Sequence, residues 1–152
     1  MMKQYKAYIP VGLIILLFFA LIFFRKNMVG FISQNRINQL TEVTKDTLNE
    51  SINRKYNYAE NGGGYDYTFL EFGSTGCHAC RQMEVVMEEV RTRYKDRVNV
   101  IFVNVMKPEN RQISEYFGIA LIPTQVILDK KGHEIFRHTE CISTEDLEKK
   151  FK

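Results

Sequence analysis

Cys77 and Cys80 stand two residues apart in the run Phe72-Gly73-Ser74-Thr75-Gly76-Cys77-His78-Ala79-Cys80. Residues 68–72, Thr-Phe-Leu-Glu-Phe, read as a buried strand, and the residues after Cys80 read as an amphipathic helix. Two cysteines at this spacing on a strand-to-helix junction point to thiol–disulfide exchange. A thiol at a helix N-terminus meets unsatisfied amides and the positive end of the dipole, and both favour the thiolate. Cys77 is therefore the expected exposed nucleophile. Cys80, one turn on, is the less exposed thiol expected to resolve the mixed disulfide on Cys77. His78 lies between them. As a cation it would stabilise the thiolate and make the pair more oxidising; otherwise it is a solvent-exposed spacer. Zinc is the competing use of such a pair, but a structural zinc site wants four ligands. Only Cys141, His133 and His138 remain as donors, with no second paired motif. No metal and no cofactor are expected.

The chain that must position these thiols has 152 residues, enough for one modest domain and an appendage. A hydrophobic content of 45% is ordinary for a folded protein. The net charge of +3 and the absence of a long Lys/Arg block argue against nucleic acid as a partner. Three cysteines are too few for a disulfide scaffold, and Cys141 is left over as a half-buried free thiol, with a regulatory role as the alternative.

The appendage is N-terminal. Residues 7–24 are uncharged and dominated by Ile, Leu, Val and Phe. As a helix they would run roughly 27 Å, close to a hydrocarbon core of about 30 Å. Pro10 and Gly12 are placed in the first turn, where they do least harm. A buried core helix and a cleaved signal peptide are the competing readings. Arg25-Lys26 close the stretch abruptly and no small-x-small site follows, so an uncleaved single-pass anchor is expected. Lys3 and Lys6 before the span nearly balance Arg25 and Lys26 after it. A short basic N-terminus before a first span usually stays in the cytoplasm. The cell membrane is thus the expected location, with the folded part on the extracytoplasmic side. The division is an N-terminal tail and anchor at 1–26, a juxtamembrane linker or helix at 27–43, and the folded domain at 44–152.

Within residues 35–56, apolar positions fall at helical spacing, and the Asn61-Gly62-Gly63-Gly64 run is expected to break that helix. Tyr56, Tyr58, Tyr65 and Tyr67 read as partly buried rings beside a sheet edge. Met83, Val86, Met87, Val90 and Tyr94 make one face of the helix that follows the cysteines. The nearly continuous apolar run over residues 98–106 reads as a central strand buried on both faces. A short helix opens at Pro108 and stops at Gly118. A strand at 124–128, a turn at 129–132 and a return strand at 133–138 make a hairpin. Ser143 caps a last helix with Leu147 and Phe151 inward. The expected class is α/β, a mixed central sheet with helices on both faces.

The strand ending in Glu71-Phe72 with Cys77-His78-Ala79-Cys80, the apolar strand after it, Phe117-Gly118-Ile119 with Ile122-Pro123-Thr124, and the closing hairpin and helix together resemble the thioredoxin family over residues 44–152. The resemblance implies a cis peptide before Pro123, lying against the cysteines. It also implies a client-binding surface made by Ile122, Pro123, Thr124 and Gly76. The chain departs from the family pattern at several places. Gly76 stands where the family has tryptophan. Glu71 stands at a buried acid's place, where it is a possible proton relay to Cys80 or a carboxylate held by local hydrogen bonds. Asn104 is assigned to the place of the lysine that partners this acid, and Glu140 to that of a glycine before the last helix.

Membrane tethering resembles the thioredoxin-like proteins that bacteria place outside the cytoplasmic membrane. The resemblance implies a protein disulfide oxidoreductase that acts on protein thiol and disulfide clients, with a membrane electron-transfer reductase as the possible donor. The minimal domain, without a helical insertion, favours the reductase direction. A disulfide-forming oxidase or isomerase is the alternative within the fold. A non-catalytic tethered peptide-binding module with a structural disulfide is the alternative outside it.

Overall fold

The computed structural model describes residues 2–151, with side chains described from Pro10 onward except those of Arg25 and Lys26. Lys3, Lys6, Arg25 and Lys26, on which the expected orientation rests, therefore lie outside the described side chains.

The elements follow in the order α1 (Met2–Asn38), α2 (Glu42–Tyr56), α3 (Tyr58–Asn61), β1 (Tyr67–Gly73), α4 (His78–Arg93), β2 (Val98–Asn104), a 3-10 turn (Pro108–Asn110), α5 (Arg111–Tyr116), β3 (Thr124–Leu128), β4 (Glu134–Thr139) and α6 (Thr144–Glu148). The sheet has the strand order β2-β1-β3-β4. β1 runs parallel to β2 and antiparallel to β3, which in turn pairs antiparallel with β4.

Alternation along the strands divides the core. Leu70, Phe72, Val103, Val126 and Leu128 face Ile52, Tyr56, Phe117 and Ile119 on one side. Phe69 and Ile127 face Met83, Met87, Val90, Leu147 and Phe151 on the other. The helix face expected from spacing is thus the face of α4 that lies on the sheet, with Met83, Met87 and Val90 buried.

Three readings need correction. β2 is an edge strand, and its residues 99–102 are only half-buried. Its apolar run has another cause. Val98, Val100 and Phe102 meet the α4 layer, while Ile101, Val103 and Val105 meet the α5 layer, so both faces are covered although one edge is not. The helix after residue 42 breaks at Asn57 (φ −84°, ψ 85°), ahead of the glycine run. The Asn57 side-chain amide donates to Asn53 Oδ1 at 2.8 Å. Gly62, at φ 76°, ends the short α3 instead. Pro10 lies inside α1, because the helix already starts at Met2. Neighbouring backbone adjustment can make such a proline tolerable.

The C-terminal end of α1 is fixed to the domain. Ser33 Oγ donates to the Gly118 carbonyl at 2.7 Å. Gly118 has φ 58°, and a Cβ there would lie 2.6 Å from Ser33 Oγ and 2.7 Å from the Ser33 carbonyl oxygen. Glycine is needed here both for its conformation and for the close approach. Most large apolar side chains between Val11 and Phe24 are more than half exposed. Among the described residues no single helix is long and apolar enough to cross a membrane. Pro10–Phe24 and Asn27–Asn38 together meet that length and composition, with a 53° bend between them.

Candidate active site

β1 and β3 are antiparallel, and Phe72 pairs with Thr124. The C-terminal end of β1 and the N-terminal end of β3 therefore share one edge of the molecule. Residues 74–77 and 119–123 emerge there together.

Cys77 is the N-cap of α4, with an extended backbone (φ −86°, ψ 121°). Its Sγ accepts the Cys80 N–H at 3.2 Å, which satisfies one of the amides that a helix start leaves without a partner. The same amide would face a thiolate once the sulfur were free. Cys77 and Cys80 are joined in a disulfide. Cys77 is half-buried, and Cys80 is only 2% exposed, so the two sulfurs are unequally reachable from outside. Gly76 and His78 are exposed, and a side chain at Gly76 would meet open space. Gly73 is confined in the opposite way. A Cβ there would sit 2.9 Å from the Phe102 ring and 3.2 Å from Cys80 Sγ, so β1 can approach α4 this closely only with glycine.

Glu71 is completely buried. It shares strand parity with Phe69 and Gly73, so its side chain is on the α4 face of the sheet. Its register partners are Phe102 on β2 and Gln125 on β3. Neither carboxyl oxygen makes a hydrogen bond of good geometry. Burial pushes its pKa from 4.5 up to about 8, and the nearby Gln125 amide draws it part of the way back. The carboxyl is therefore mostly protonated at neutral pH. Asn104 is not its neighbour, which corrects the sequence assignment. Asn104 is registered with Gly73, and its side-chain oxygen accepts the Met106 N–H at 3.0 Å. The residue beside Glu71 on β2 is Phe102, so the acid has no cation there.

The Ile122–Pro123 peptide is cis. Pro123 is buried, Ile122 is half-buried, and the Pro123 carbonyl accepts the Glu140 N–H at 2.9 Å. Thr124 is buried, and its hydroxyl donates to the Leu121 carbonyl at 2.8 Å, so its side chain braces the loop. Glu140 has φ 88°, a left-handed conformation that favours glycine. Cys141 is exposed, not half-buried. The Glu140 turn carries it over the start of α4, where its thiol donates to Gln82 Oε1 at 3.1 Å and lies 3.5 Å from the Ala79 carbonyl oxygen. Among the described residues no group of three or more His, Cys, Asp or Glu side chains is placed to hold a metal ion.

Sequence reasoning passed over Gln125 and Gly73. Gln125 had a signal: it is the one amide side chain in the strand run Thr-Gln-Val-Ile-Leu. Gly73 gave no such signal, because only the distance to Phe102 and Cys80 shows its role.

The thioredoxin family model matches residues 39–152. The chain is 37% identical over 67 residues to "Thioredoxin-like protein HCF164, chloroplastic" of Oryza sativa subsp. japonica, covering 44% of this chain and 26% of that protein. It is 33% identical over 66 residues to "Thioredoxin 1" of Synechococcus elongatus, covering 43% of this chain and 59% of that protein. It thus spans only part of the length of these relatives. Among solved structures, mitochondrial thioredoxin 3 from Saccharomyces cerevisiae in its oxidised form is similar, with a TM-score of 0.50 and 24% identity over 59% of this chain and 79% of that one. Thioredoxin O2 from Arabidopsis thaliana in its oxidised state gives 0.51 and 17% over 69% and 84%. At these identities the structural likeness speaks for the fold. Since the family model covers most of the chain, the chain belongs to the thioredoxin family.

Proposed function

We propose that this chain is a membrane-tethered thiol–disulfide oxidoreductase that reduces disulfides in client proteins. The observation that carries the redox reading is the unequal pair at the start of α4: a reachable Cys77 that caps the helix, bonded to a buried Cys80. In the reduced state the Cys77 thiolate attacks a client disulfide. A Cys77–client bond forms, and the other client sulfur leaves as a thiolate and takes a proton. Cys80 then gives its proton to the ionised Glu71 carboxylate and attacks Cys77 Sγ. The Cys77–client bond breaks, the Cys77–Cys80 bond forms, and the second client sulfur leaves with the electron pair. Two electrons have passed from the dithiol to the client. Glu71 lies two residues before Gly73, about 6.6 Å along the strand. One water can bridge what the glutamate side chain does not reach.

Ile122, Pro123 and the open space at Gly76 supply the surface for the client chain, with Thr124 as a brace. The exposed apolar side chains from Val11 to Phe24 support a membrane anchor over residues 7–24; the short basic N-terminus before it is what favours a domain on the extracytoplasmic side. An electron-transfer reductase in the same membrane is the matching donor.

Changing Cys80 to Ser is expected to trap clients on Cys77 as mixed disulfides. If no adduct forms there, or adducts form on Cys141 instead, the assigned roles are wrong. The unmodified chain is expected to reduce insulin. Its potential, measured against glutathione, should lie near about −270 mV; a value near about −120 mV would make it an oxidase.

A further inference from the structure

Gln125 has no place in the steps above, yet it is completely buried and lies directly across from Glu71 in the antiparallel register. Such pairs hold their Cβ atoms about 4.5–5.5 Å apart. Both carboxyl oxygens of Glu71 and both heteroatoms of the Gln125 amide are buried without a satisfied hydrogen bond. Four such atoms facing apolar surroundings would be costly unless they served one another. Their chemistry is complementary. A protonated carboxyl donates its O–H to an amide oxygen, while the amide N–H donates to the other carboxyl oxygen. After ionisation the amide N–H still donates to the carboxylate, and the amide oxygen is left over.

We propose that Gln125 is the positioning residue for the Glu71 proton: its amide takes the place of a charged partner and holds the carboxyl in both protonation states. The inference rests on the oxidoreductase reading for its consequence, but the pair itself can be observed without any activity. The groups around the acid leave few rivals. β2 presents Phe102 in register with Glu71, and of the buried α4 residues Cys80, Met83, Met87 and Val90 only Cys80 is titratable. Beyond Gln125, β4 presents His138 in register with it. Among the described residues no charged side chain contributes to the Glu71 shift.

The amide N–H on a carboxylate is a charge-assisted bond, stronger than a neutral one. Removing it should raise the ionisation midpoint of Glu71, and putting a cation in its place should lower it. The test is carboxyl-carbon NMR of the full chain in detergent, labelled at glutamate and titrated across pH 5–10. Glu71→Gln identifies the resonance. In Gln125→Leu the midpoint should move upward. In Gln125→Lys it should fall by about one pH unit or more. The single-turnover rate of the resolving step at pH 7 should fall about tenfold for each pH unit the midpoint rises. A residue that only fills space would lower stability in both variants without shifting the titration in opposite directions. An unmoved midpoint in folded Gln125→Leu would overturn the proposal. So would a His138→Asn variant that shifts the midpoint as far as Gln125→Leu does. If the Gln125 variants do not fold, the unmodified chain decides. Its Gln125 side-chain amide resonances should titrate with the same midpoint as the Glu71 carboxyl, and amide resonances that stay constant while the carboxyl titrates overturn it. Loss of the oxidoreductase reading would show as an inactive unmodified chain with this titration intact.

Discussion

A carboxyl group that keeps its proton to about pH 8 gives folding stability a fixed pH dependence. Glu71 in the unfolded chain ionises near 4.5, and in the folded chain near 8. Between these values the folded state binds more protons, so stability falls as pH rises. The penalty is absent below about pH 4.5, grows through neutrality and levels off above pH 8. At pH 7 it is on the order of 3 kcal/mol. Glu71→Gln should therefore be more stable than the unmodified chain at pH 7.5 and nearly equal at pH 4.5, as read by urea unfolding of the oxidised forms. The same substitution should slow the resolving step by about 100-fold, while attack by Cys77 keeps its rate. Single turnover from a preformed Cys77 mixed disulfide separates the two. In the unmodified chain the resolving rate should climb from pH 6 and flatten near pH 8. At this scale the thiols were legible because of their spacing at a strand-to-helix junction, and Glu71 through the place it holds in the family resemblance. Phe102 was not legible. Which β2 residue lies beside the acid is a matter of register, and the family resemblance placed Asn104 there, where the register has Phe102.

Local signals set most of the elements. Ser143 was read as a cap, and its Oγ does accept the Asp146 N–H at 3.2 Å; Ser143→Ala should cost about 1 kcal/mol. The spacing of Met83, Met87 and Val90 likewise named the inner face of α4 before any contact was known. The close approaches behave differently, because they are pairings between elements far apart in the chain. Gly73→Ala should push Cys80 and Phe102 apart and disturb the active pair, visible as lower oxidoreductase activity with only a modest loss of thermal stability. Gly118→Ala combines strain at φ 58° with a clash against the Ser33 backbone. It should cost about 1–2 kcal/mol and leave the α1–α2 connection more open to protease. Asn57, where the helix breaks, was missed because three glycines downstream looked like the stronger stop. The break is in its backbone, at ψ 85°, while its N–H still completes the last helical bond to the Asn53 carbonyl.

For the whole molecule, the alternation of elements and the final hairpin were enough for a mixed sheet with helices on both faces. The place of β2 at the edge was not legible, since an apolar run reports covered faces and says nothing about edges. If the anchor reading is right, the chain should stay with membranes through high salt and be released by detergent. Reduced Cys77 should react with a membrane-impermeant thiol reagent in intact cells; protection there, with reaction after lysis, would reverse the orientation. The bond between Ser33 and Gly118 then bears on how clients are found. Residues 27–38 continue as helix for roughly 18 Å and meet Gly118, four residues before Ile122, through Ser33 and Ile37. A catalytic head held that way is mounted on a short post, where a flexible leash would have let it roam. On the anchor reading it would sweep a thin layer with its sulfur aimed in a restricted set of directions. Such a head would favour disulfides presented in that layer over those equally reactive but free in solution.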